Sequence, residues 1–143
     1  MQNRFHGVLS LVIFGIAITI GIIPVFRINL FIGFGYIFLL IISGIAMIFA
    51  FCTKCPCNKN CVHVLPGLIT KLTKTRTPGP YSWLEIGIVV VSILCIIGIP
   101  QIWLWNNWNY FFLFWLLTLI TSLEIRLFVC KKCSNDFCPG KMI

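Results

Sequence analysis

The chain has 143 residues, room for one domain, of which 59% are apolar and only 10% charged. A soluble domain carries about 25% charged residues, so the composition excludes an ordinary water-soluble globule and points to a bilayer, where charge is costly. The formal charge of +8 does not indicate a nucleic-acid partner, because the Lys and Arg residues cluster between and after the apolar runs, as membrane topology requires.

Four runs supply the roughly 20 apolar residues that a helix needs to cross the hydrocarbon core: 7–25, 30–51, 83–105 and 108–129. None alternates as a barrel strand would, and helices are the remaining way to satisfy backbone groups in lipid. The first run follows Arg4 as a signal peptide would. It lacks a small-residue cleavage site and leads almost directly into the second run, so it reads as an uncleaved span.

The segment between the second and third spans holds Lys54, Lys59, Lys71, Lys74 and Arg76, and the end of the fourth span and the tail hold Arg126, Lys131, Lys132 and Lys141. The positive-inside rule then places both termini and the loop 52–81 in the cytoplasm of a multi-pass protein of the inner membrane. The second hairpin turn, Trp103 to Tyr110, lies on the outer face. Its three Trp residues read as an interfacial belt, with a quinone pocket as the sharper alternative.

Each half of the chain repeats one plan. Gly21-Ile22-Ile23-Pro24 near the end of the first span resembles Gly98-Ile99-Pro100 near the end of the third, and a C-x-x-C closes each following span: Cys52-Thr53-Lys54-Cys55 and Cys130-Lys131-Lys132-Cys133. The expected architecture is an all-α membrane protein whose four transmembrane helices form two parallel-repeat helical hairpins, about 7–61 and 83–138, each turning near its proline. They would be related by an axis along the membrane normal.

The cysteines carry the chemistry. Cys52, Cys55, Cys57, Cys61, Cys130, Cys133 and Cys138 all flank the cytoplasmic face, where thiols stay reduced and structural disulfides are rare. Two C-x-x-C pairs that can converge would offer four thiolates at a spacing that suits a tetrahedral metal site. His63, two residues after Cys61, would bring the candidate ligands to eight, enough for two sites. An iron–sulfur cluster is favoured by the surplus of thiols and by Cys138-Pro139. The first run, Cys52-x-x-Cys55-x-Cys57-x-x-x-Cys61, is nevertheless one residue short of the bacterial ferredoxin spacing, and the second departs from it too. Zn²⁺ is favoured by the zinc-ribbon arrangement of two hairpins each bringing C-x-x-C. The surrounding lysines would offset thiolate charge or meet anionic lipid headgroups. His6 reads as an interfacial residue, and Cys95, inside the third span, as a small packing residue.

Three acids are present, and two belong to the spans. Glu85 follows Ser82 by three residues and completes a capping box for the third span. Glu124 lies near the end of the fourth, with Arg126 as the expected partner of either acid. Four-helix membrane thiol oxidoreductases share the helix count and a C-x-x-C, but theirs work at the oxidising face with a quinone.

The function expected is a metal-binding membrane subunit, an iron–sulfur electron carrier at the cytoplasmic face that serves a redox or other membrane protein partner. A zinc-stabilised interaction protein and a soft-metal transporter are the alternatives. No nucleophile or general-base constellation marks the chain as an enzyme by itself.

Overall fold

The computed structural model describes residues 2–55, 69, 76–130 and 135. Its described elements are all helical. They run α1 (Gln2–Ile28), α2 (Leu30–Ala50), a 3₁₀ turn (Cys52–Lys54), α3 (Trp83–Ile93), a π turn (Leu94–Gly98), α4 (Gln101–Leu104), α5 (Trp108–Glu124) and a second π turn (Ile125–Val129). These form four continuous apolar spans long enough to cross a membrane: Phe5–Ile28, Leu30–Lys54, Trp83–Leu104 and Trp108–Val129. The chain is a multi-pass membrane protein.

The hairpin turns lie beyond the prolines rather than at them. Pro24 is inside α1, and the break comes at Asn29, whose side chain accepts hydrogen bonds from Phe31 N (2.8 Å) and Ile32 N (3.4 Å) and so caps α2. The Phe26 ring crosses the backbone of Gly33 so closely that a Cβ there would fall 2.8 Å from the ring; only glycine lets the first hairpin close this tightly. In the second hairpin the helix resumes after Pro100 for one turn, through Leu104, before the bend at Trp105 and Asn106.

The first span packs against the second and the fourth, and the second against the third. The third span meets the fourth through the short helix Gln101–Leu104 near their hairpin turn. Every span buries small residues, Ser10, Ala17 and Gly21 in the first, Gly33 and Ser43 in the second, Ser92 in the third, Thr118 and Thr121 in the fourth, and the last two add Ile96, Leu104 and Phe114. Lipid tails are as apolar as Leu, so close backbone approach and packing hold such helices together. Large apolar side chains face outward, from Phe31 and Phe38 to Leu116 and Leu119.

Several hydroxyls inside the spans are satisfied within their own helix. The hydroxyls of Thr19, Ser92, Thr118, Thr121 and Ser122 each donate to the carbonyl four residues earlier, at 2.8–2.9 Å. Pro100 has no N–H to offer the carbonyl of Ile96, four residues back. The hydroxyl of Tyr36 on the second span donates to it instead, at 2.8 Å. The next carbonyl, of Ile97, accepts from Gln101 Nε2 (2.7 Å), and Gln101 Oε1 accepts from Trp115 Nε1 (3.0 Å). Two side chains thus repair a ladder that the proline breaks, and both tie the third span to a neighbour.

Candidate functional site

The two ends of the bundle differ in chemistry. At one end Trp105, Trp108, Phe111 and Phe112 contact one another edge-on or tilted, with ring centroids 5.3–5.9 Å apart. Trp105 and Trp108 are largely exposed, as in an interfacial belt. The other end carries the cysteines.

At the cysteine end, the second span closes with the 3₁₀ turn Cys52–Lys54. Cys55 N donates to Cys52 O (3.3 Å), which curls the first C-x-x-C into a single turn. Thr53 anchors it from below. Its side chain is buried, its hydroxyl donates to Phe49 O (2.7 Å), and its carbonyl accepts from Arg76 N (2.9 Å). Tyr81 stacks on Phe51, centroids 4.2 Å apart and nearly parallel.

Glu85 is the hub between the second and third spans. The expected capping box is present: Ser82 Oγ accepts from Glu85 N (3.3 Å) and Glu85 Oε2 accepts from Ser82 N (2.7 Å). The same carboxylate takes Lys54 Nζ at 2.9 Å and Arg76 Nη1 at 3.0 Å, and Lys54 also donates to Pro80 O at 2.7 Å. Across the bundle, His6 Nδ1 donates to Glu124 Oε1 (2.6 Å), and the imidazole lies flat on Phe128, centroids 4.3 Å apart. The two acids are therefore met by His6 and by Lys54 with Arg76, where the sequence nominated Arg126.

Three of the eight expected ligands lie within the described residues. Cys52 and Cys55 sit half-buried at the end of the second span, and Cys130 sits half-buried at the end of the fourth. Cys57, Cys61, His63, Cys133 and Cys138 lie outside the described residues. Among the described residues no three His, Cys, Asp or Glu side chains form a group able to hold a metal ion.

Among the described residues, a contact reaches the first cysteine motif from beyond the second. Asn135, two residues past Cys133, is 1% exposed; its Nδ2 donates to Tyr81 Oη at 3.1 Å and approaches Cys55 Sγ at 3.6 Å. Asn135 thus brings a residue from behind the second C-x-x-C to the first. Sequence reasoning missed Asn135, Tyr81 and the His6–Glu124 pair. Spacing marks the cysteines, whereas these groups declare themselves only through a cross-span partner. Cys95, half-buried, lines an outer groove between the second and third spans and stands apart from the cysteine end.

No family model, no curated protein and no solved structure matches this chain.

Proposed function

We propose that this is a metal-binding membrane subunit whose cysteine end holds a thiolate-ligated centre, an iron–sulfur cluster serving as an electron carrier. Cys52, Cys55, Cys130 and Cys133 would form its core, with Cys57, Cys61, Cys138 and His63 completing it or building a second site. The observation that supports the reading is the seat of Asn135 between Tyr81 and Cys55, because it sets a residue two positions past Cys133 against the first motif. An amide N–H directed at sulfur is also the kind of contact that tunes a thiolate-ligated centre. By the positive-inside rule this end faces the cytoplasm, where a reduced thiol set survives and a soluble or membrane redox partner has access.

Anaerobic purification, with assays of iron, acid-labile sulfide and zinc and a visible spectrum, tests the proposal. Iron with sulfide and a broad visible absorption supports electron transfer. Colourless protein containing zinc selects a structural clamp between the hairpins. Protein with neither overturns metal binding. Replacing Cys55 and Cys133 together by Ser should strip the metal, since each removes a thiolate from a different hairpin.

A further inference from the structure

The seam between the second and third spans is open on its outer side. A groove of about 560 Å³ runs along it, floored by Ser43, Ala46, Gly87 and Ser92 and walled by aliphatic side chains such as Ile42 and Val91. The floor offers little to a polar ligand: Ser92 already donates to Ile88 O at 2.8 Å, and apart from Ser43 and Cys95 the rest of the lining is glycine and aliphatic side chains. The groove therefore suits a hydrocarbon chain rather than a polar ligand.

Its length and its mouth narrow the choice. From Leu84 to Cys95 the rise is about 16 Å at the helical repeat, against about 15 Å for one leaflet of the hydrocarbon core. Leu84 adjoins Glu85, so the groove opens at the cysteine end beside Lys54 and Arg76. Two cations there face one carboxylate, which leaves an excess of positive charge, and the Arg76 side chain is 57% exposed. Trp83, 90% exposed at the same level, marks the depth of the headgroups.

We infer that this seam is a binding site for one anionic membrane phospholipid, with an acyl chain in the groove and its phosphate against Arg76 and Lys54. Packing holds the tail, since hydrocarbon gains nothing by leaving lipid for an apolar wall, and charge selects the headgroup. This site stands independently of the proposed metal centre.

The test is native mass spectrometry of the full chain released from nanodiscs of phosphatidylcholine containing a minority of phosphatidylglycerol. A cation near the membrane surface is worth about 1 kcal/mol, a factor of about five, so phosphatidylglycerol should be retained about fivefold over its share. Arg76→Gln should abolish that preference. Gly87→Leu should expel the lipid, because a Cβ at Gly87 meets nothing within 4 Å and the larger side chain fills the groove without disturbing the helix. Gly15→Leu, at an equally open glycine outside the groove, should leave retention unchanged. Inorganic phosphate should not displace the lipid. Equal retention of the two lipids by the wild-type chain would overturn the inference, as would lipid that survives Gly87→Leu, equal loss in Gly15→Leu, or displacement by phosphate. So would a dimer that Gly87→Leu dissociates, which would give the groove to a second copy.

Discussion

The seam between the first and fourth spans is filled, and the seam between the second and third is not. On the filled side Ala17 and Phe114 are fully buried together with Leu104. Gly21 lies so close to Phe114 that a Cβ would stand 3.2 Å from its ring and 3.5 Å from Pro100. On the open side the small residues Ser43, Ala46, Gly87 and Ser92 leave a groove. That seam is pinned at separate levels by polar contacts, Lys54 and Arg76 on Glu85 near one end and Tyr36 on Ile96 O deeper in. A chain that reads as one hairpin used twice has thus put most of its interlocking packing on one side. The other side keeps space, and with it the capacity to bind.

The largest expected effect of breaking this asymmetry is on the filled seam. Phe114→Ala should lower stability by about 3 kcal/mol, near the bottom of the range for burying a phenyl-sized cavity, because lipid removes the water-transfer part of the penalty and leaves the lost packing. Ile88→Ala, on the wall of the groove, should cost less than about 1 kcal/mol, since little packs against it to be lost. Reversible unfolding in mixed micelles or bicelles measures both. Equal losses would mean that the two seams share the load.

Tyr36→Phe comes next and sharpens the account of the open seam. It leaves the Ile96 carbonyl, already deprived of a partner by Pro100, without the hydroxyl that donates to it at 2.8 Å. An interhelical hydrogen bond in a membrane averages about 0.6 kcal/mol and reaches about 1.7. The absence of any N–H to take over puts this one near the upper part of that range, at about 1.5 kcal/mol. Faster amide exchange confined to the residues around the Leu94–Gly98 π turn would identify the carbonyl as the cause.

The four spans, the capping box at Ser82 and Glu85, and the placing of Cys52, Cys55 and Cys130 at span ends were legible because each depends on local sequence: run length, a three-residue spacing, a motif after an apolar stretch. The rotation of each helix about its axis was not legible. A helix that is apolar nearly all round carries little amphipathic signal to say which face turns inward, so the partners of Tyr36 and Glu124 could not be read from their positions. The π turn at Ile125–Val129, where Cys130 N donates to Ile125 O five residues back, adds a further shift: it re-aims Cys130 relative to the α-helical register of the fourth span. The pairing of Glu124 with His6 escaped the sequence for the same reason. Sequence proximity nominated Arg126, while the packing of the first span on the fourth brought His6 to Glu124.

The smallest effect expected is at that pair, and it bears on how far the filled seam relies on polar contacts. His6 and Glu124 keep 20% and 16% side-chain exposure, so their attraction is partly screened, and pairs of this kind contribute about 0.2–1 kcal/mol. The flat stacking of His6 on Phe128 is an additional contact that any replacement without a ring forfeits. His6→Gln keeps a donor for Glu124 but loses the ring, and should cost about 0.5 kcal/mol; His6→Phe keeps the ring face but strands the carboxylate, and should cost more. This ordering follows from Glu124 being half-buried near the end of a span, where an unpaired charge is more costly than a lost stacking contact. If His6→Phe proved the milder substitution, ring packing rather than the hydrogen bond to Glu124 would be what joins the first and fourth spans at the cysteine end. The filled seam would then be apolar along its whole length, and the polar pinning would belong to the open seam alone.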